Sequence, residues 1–223
     1  MRGKFRKNAI LGLNMGGGRR LMEVIDIKEE VKNHFWKRFF EPVLNISVLD
    51  WAAFNSLSNA NRSFLEAPFL LEDVREVMWL SSCDKSSGPD GFSLGFFRKC
   101  WVFMKDEVGN FVNEFHKNRF LPKAVTASFI ALIPKTDNPQ GIDEFRPICL
   151  AGCLYRLISK LLVSRLKVVI KKLVSSSQTT FIEGRQMVDG VLVLNEVLDY
   201  AKRFKKECLV VKVDSENDFD YVS

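Results

Sequence analysis

Near the end of the 223-residue chain, Asp214 follows a short apolar run, Cys208-Leu-Val-Val-Lys-Val213, and precedes Glu216, Asp218 and Asp220. The run is rich in β-branched residues and reads as a buried strand that delivers Asp214 to its end. Carboxylates at the end of a buried strand suit a hard divalent cation such as Mg²⁺, which takes oxygen ligands and keeps waters that phosphates can replace. A solvated acidic turn is the alternative. One carboxylate on a strand is common, and two-metal chemistry needs ligands from other segments.

Other residue types capable of chemistry are sparse. The five cysteines, at 83, 100, 149, 153 and 208, show no paired spacing, and neither His34 nor His116 has a cysteine at zinc-ligand distance in the sequence. No zinc site is expected, and an odd, scattered set of thiols fits a reduced, intracellular setting. The segment Gly88-Pro-Asp-Gly91 has the composition of a tight turn. It lacks the longer glycine spacing and the Gly-Lys-Ser/Thr ending of a phosphate-gripping loop.

The elements that must hold Asp214 come from a chain with a folded composition, 47% hydrophobic and 27% charged. The formal net charge of +6 favours an anionic partner. No apolar run approaches the roughly 18 residues of a membrane span, and the basic N-terminus has no apolar segment suited to a signal peptide. Residues 1–22 are basic and glycine-rich, around Gly16-Gly-Gly18, and read either as an arm touching nucleic acid or as a solvated tail. Ile27, Val31, Phe35 and Phe39 repeat every four residues and predict one packed face of a helix over 25–40. A second helix is predicted over 72–80, with acidic residues at its start. Aromatics from Phe96 to Phe115 follow at helical spacing and read as core. Residues 128–134 and 145–150 read as strands. The longest helix is predicted over 154–174, apolar on one side through Leu154, Leu157, Ile158, Leu161, Leu162, Leu166, Val169 and Ile170. Its other side is basic and reads either as a phosphate-tracking face or as a solvated one. A last helix over 187–202 is expected to bury Val191, Leu194, Val197 and Leu198.

The order of segments is more specific than any one of them. Ser87-Gly-Pro-Asp-Gly-Phe92, Ser128-Phe-Ile-Ala-Leu-Ile-Pro-Lys135, Phe145-Arg-Pro-Ile148, Leu154-Tyr-Arg-Leu-Ile-Ser-Lys160, Phe181-Ile-Glu-Gly-Arg-Gln186 and Val211-Lys-Val-Asp214 stand in sequence. This series resembles the reverse transcriptase of LINE-type (non-LTR) retrotransposons, the plant type in particular, over about residues 20 to 223. The resemblance implies an α+β fold, mostly helical with a few antiparallel strands: part of a right-hand polymerase, with fingers and the start of a palm. Residues 1–80 would be a basic arm and helical connector, and residues 81–223 the partial polymerase domain. Asp214 matches the first catalytic aspartate of the palm, the ligand of Mg²⁺. Phe219 matches the bulky residue under the sugar of the incoming nucleotide, which would exclude a 2′-hydroxyl and select deoxynucleotides. Arg146 and Arg185 match fingers arginines suited to triphosphate or template phosphates. Lys160 and Arg165 are further candidates for template contact. The implied partners are an RNA template, a DNA primer and deoxynucleotides, with no membrane. A nuclear site of action is implied only by the family's habit of inserting into chromosomal DNA.

Two departures qualify that implication. Asp218 stands where most family members have a small residue, and its carboxylate adds repulsion beside Asp214 and a triphosphate. The family's later palm motifs, including the aromatic-x-Asp-Asp turn that supplies the other metal ligand, do not fall within these 223 residues. One aspartate does not assemble a two-metal site, so the chain alone is expected not to catalyse the reaction. A non-catalytic RNA- or DNA-binding remnant, or a non-functional pseudogene product, is the alternative.

Overall fold

A computed structural model of the chain describes residues 10–15, 18–39, 55–83, 85–175 and 178–211. The elements in order are β1 (Leu13–Asn14), β2 (Arg20–Leu21), α1 (Val24–Phe39), α2 (Asn59–Glu66), α3 (Leu71–Leu80), α4 (Leu94–Lys99), α5 (Trp101–Asn118), α6 (Lys123–Thr126), β3 (Ser128–Pro134), β4 (Phe145–Ala151), α7 (Cys153–Leu173) and α8 (Met187–Arg203). The described residues are mostly helical, with two small two-stranded sheets, β1–β2 and β3–β4. By compactness the chain divides into two units: residues 1–50, 130–149 and 212–223 in one, residues 51–129 and 150–211 in the other. The polypeptide therefore passes between units within β3 and within β4.

In the first unit, Leu13 pairs with Leu21 across the antiparallel β1–β2 hairpin. Both leucines are buried and join Ile27 and Phe145 in one cluster, with Val31 and Leu132 packed on it. The segment carrying β1 and β2 is thus a packed hairpin and not a free basic tail. On α1, Ile27 and Phe35 are buried and Val31 half-buried, as the four-residue repeat predicts. The side chain of Phe39 lies outside the described residues.

In the second unit, α3, α4, α5 and α7 share one core. It is built on Val74, Met78, Phe97, Val112, Leu157 and Leu161. Local chemistry sets where these helices begin. Ser58 Oγ accepts from Asn61 N at 3.3 Å to start α2, Asp73 Oδ2 accepts from Leu70 N at 3.0 Å to start α3, and Ser93 Oγ accepts from Phe96 N at 3.3 Å to start α4.

Three expectations change here. On α7, Leu157, Ile158, Leu161 and Val169 are buried, but Leu162 and Leu166 are exposed, because the packed stripe is narrower than the apolar one. On α8, Val191, Leu194 and Val197 are exposed, Leu198 is half-buried, and Ala201 is the one buried residue. Periodicity defines a face, and burial needs a partner element to meet it. Finally, Cys208–Val211 carries no strand pairing, and Leu209 is 89% exposed. A strand requires a neighbouring backbone, and among the described residues β3 and β4 pair only with each other. Lys212 and Val213 lie outside the described residues.

Candidate nucleic-acid interface

Asp214 and Phe219 lie outside the described residues, as do Glu216, Asp218 and Asp220. Among the described residues no group of three or more His, Cys, Asp or Glu side chains is placed to hold a metal ion.

The Ser87–Phe92 segment reads from composition as a turn, and the structure adds what the turn is for. Gly91 takes φ +71°, the left-handed region that a glycine adopts without strain. Asp90 Oδ1 accepts from Phe92 N at 3.2 Å, and its Oδ2 reaches 63 residues onward to accept from Cys153 N at 2.5 Å. That amide is the first of α7, whose own N-cap is Gly152 and has no side-chain cap. Asp90 therefore supplies the anion that the positive helix terminus favours. The approach is close: a Cβ at Gly88 would stand 2.5 Å from the carbonyl carbon and oxygen of Ala151. Only glycine fits there. Behind the cap, burial pushes the Cys153 thiol up to about 11; the Arg156 guanidinium draws it down, and the Asp90 carboxylate adds to the rise. Arg156 itself reaches Ser86 O at 3.3 Å through Nη1, while its Nε and Nη2 have no hydrogen-bond partner among the described residues.

The arginines divide sharply. Arg185 turns onto the C-terminal end of α7. Its Nη1 donates to Ser175 O at 2.5 Å and Gln178 O at 2.7 Å, and its Nη2 to Val174 O at 3.0 Å and Lys171 O at 3.4 Å. Arg165 does the same at the end of α2. It donates to the carbonyls of Ala67, Leu65 and Pro68, pairs with Asp73 at 3.6 Å, and lies 3.8 Å over the Phe69 ring. Arg98 closes α3 by donating to Met78 O, Trp79 O and Ser81 O. Each satisfies carbonyls that the helix leaves orphaned, at the end where its dipole favours a cation. The Arg165 side chain is 11% exposed and its donors face the protein. Arg185 likewise directs its donors inward. Arg146 is different, standing exposed on β4 with no side-chain hydrogen bond or ion pair among the described residues. Lys160 lines a groove of about 560 Å³ between α3 and α7.

Sequence reasoning missed Asp90 and Arg98 as helix caps. The turn composition around Asp90 was visible, but its partner is 63 residues away. Arg98 carries no local signal at all.

A family model described as "Reverse transcriptase (RNA-dependent DNA polymerase)" matches residues 133–223. That span takes in the end of β3, β4, α7, α8 and Asp214. The chain carries a partial reverse transcriptase domain. Two relatives agree. The chain is 26% identical over 172 residues to the transposon TX1 uncharacterized 149 kDa protein of Xenopus laevis, covering 77% of this chain and 13% of that one. It is 30% identical over 118 residues to the retrovirus-related Pol polyprotein from type-1 retrotransposable element R2 of Popillia japonica, covering 51% of this chain and 16% of that one. Both relatives are named as products of mobile elements, one a transposon and the other a retrotransposable element. The chain spans less than a fifth of the length of either relative. The narrower likeness to plant elements rests on the motifs alone. Reverse transcriptases as a family depend on divalent metal, and among the described residues no helix is long and apolar enough to cross a membrane.

Proposed function

We propose that the chain supplies the fingers and the first palm strand of a right-hand RNA-directed DNA polymerase of a non-LTR retrotransposon. Residues 81–223 form the polymerase part, and residues 1–80 form a basic and helical connector before it. The observation that carries this reading is the family match, which runs from the end of β3 through Asp214. The reaction would be RNA-templated addition of deoxynucleotides to a primer 3′ end, at chromosomal DNA and hence in the nucleus. Asp214 is the residue we assign to Mg²⁺; a bound ion would stabilise charge on the transferring phosphoryl group. Phe219 would press on the sugar and exclude a 2′-hydroxyl. Arg146, with its exposed guanidinium, is suited to hold triphosphate or template phosphates in a bidentate grip. Arg185 would act by fixing the 178–186 loop to the end of α7, and Lys160 by contacting template.

Primer extension on an RNA template with Mg²⁺, alongside an Asp214→Asn control, tests the chemistry. A polypeptide of these 223 residues is expected to give no extension, because it holds one of the family's palm aspartates. Extension that vanishes in the control would overturn that expectation and mean that another residue or a second copy completes the metal site. Binding of an RNA–DNA primer-template, weakening steeply with salt, is expected in either case. A chain that does not bind would refute the polymerase reading. Asp218 favours a second reading, a non-catalytic nucleic-acid binder, since its carboxylate repels a triphosphate near Asp214. Extension gained in Asp218→Gly would refute it.

A further inference from the structure

Three lysines of α7 face the same groove. Lys160, Lys167 and Lys171 line it together with Val77 and Leu80 of α3, and Val163 and Val168 lie between them. Spacings of seven and four residues bring the three back to one side of the helix, within about 40° of each other at 3.6 residues per turn. At about 1.5 Å of rise per residue, the row spans roughly 16 Å. None of the three amines has a hydrogen-bond or ion-pair partner among the described residues. This is the opposite of Arg165, on the same helix, whose donors face carbonyls.

We propose that this groove seats the phosphate backbone of single-stranded RNA, with the lysine row as a track outside the reaction centre and the apolar floor beneath the bases or sugars. The proposal rests on the polymerase reading for the choice of RNA, and on the groove for the place. Charge complementarity argues for a polyanion over a second protein. An apolar helix would leave three ammonium groups facing hydrocarbon, whereas a phosphate backbone neutralises them in sequence and releases its counterions. A row of roughly 16 Å matches about five stacked nucleotides at roughly 3.4 Å each. Stacked on itself or laid on Val163, Val168 and Leu80, such a strand needs no base-specific contacts, so binding is expected to be indifferent to sequence. One acidic residue, Glu183, lines the groove. It sits next to Gly184, where an added Cβ would lie 3.6 Å from Lys171 Nζ. Glu183 therefore lies toward the Lys171 end, and its negative charge would oppose a phosphate there.

The test is fluorescence anisotropy of a labelled single-stranded RNA with the full chain across a salt series. Removing three phosphate contacts, in Lys160→Gln/Lys167→Gln/Lys171→Gln, should reduce the slope of log affinity against log salt by about 2 and the affinity at 0.1 M salt on the order of 100-fold. The charge-retaining triple Lys→Arg variant should keep both, which separates lost charge from lost folding. Glu183→Gln should tighten binding. Lys28→Gln/Lys32→Gln, on α1, should change little. Unaltered affinity and slope in the triple glutamine variant would overturn the track while leaving the polymerase reading in place. A wild-type chain that binds no nucleic acid overturns both. Equal affinity for single-stranded DNA of the same sequence would overturn the choice of RNA.

Discussion

Replacing Gly88 by alanine would put a methyl group where the backbone entering α7 already stands. The new Cβ would lie 2.5 Å from both the carbon and the oxygen of the Ala151 carbonyl and 2.6 Å from Gly152 N. Ordinary contact begins near 3.4 Å, so something must retreat by about 0.9 Å, and all three neighbours are backbone atoms rather than a side chain that can swing away. The turn and the helix start are joined by the Asp90–Cys153 hydrogen bond at 2.5 Å. A separation of that size breaks it. The overpacking costs about 1–3 kcal/mol and the lost cap about 0.5–2 kcal/mol, so Gly88→Ala is expected to lose about 1.5–5 kcal/mol. Urea unfolding reports it, followed by tryptophan fluorescence; Trp79 and Trp101 pack edge-on, with centroids 5.7 Å apart, in the same unit as Gly88. Asp90→Ala should cost the cap alone. The double variant should cost clearly less than the sum, because both changes open one junction. Gly91→Ala is the control: it meets nothing within 4 Å and pays only for its left-handed φ, about 1–2 kcal/mol. A Gly88→Ala chain within about 0.5 kcal/mol of wild type, or strict additivity with Asp90→Ala, would refute the account.

Arg165→Ala should destabilise the chain by about 2–4 kcal/mol, since it strips three carbonyls of a charged donor and Phe69 of its cation. Under conditions where the variant remains folded, RNA affinity should be unchanged; a folded, equally stable variant with weakened RNA binding would restore Arg165 as a template contact. The Cys153 thiol has its pKa raised above the ordinary 9.0 to about 11. Below pH 9 both states are protonated and nothing is lost. From pH 9 to 11 the unfolded chain ionises first, and stability should fall, by at most about 3 kcal/mol. The difference in urea midpoint between wild type and Cys153→Ala should therefore narrow over that range, and parallel curves from about pH 8 to 11 would contradict it.

What the sequence makes legible is what repeats locally. The four-residue spacing of Ile27, Val31 and Phe35 finds the packed face of α1, and Leu157, Ile158 and Leu161 find that of α7, because side-chain direction follows from helix geometry alone. Where a face meets its partner is a long-range matter. Val191, Leu194 and Val197 have the same periodicity on α8 and stay exposed. Leu209 and Val211 have strand composition and, among the described residues, no strand paired with them. The direction of a long polar side chain is equally hidden. Arg146, Arg165 and Arg185 look alike in sequence, and only the fold separates the one facing solvent from the two facing carbonyls. Of the ordered motifs, those from Phe145 to Asp214 lie within residues 133–223, the span that the family model matches.

The three arginines that close helix ends set a rule for substitution in this chain. Arg98 meets the carbonyls of three residues, Arg165 of three and Arg185 of four, each from the planar fork of one guanidinium. A lysine offers one compact ammonium that cannot span such a set. At these positions arginine and lysine are not alternatives, although the charge is the same. Along the groove of α7, where the lysine amines have no hydrogen-bond or ion-pair partner among the described residues, they are. Tolerance to exchange of the two basic residues, tested position by position, would therefore draw the boundary between the cations that build the fold and those left free to meet a polyanion.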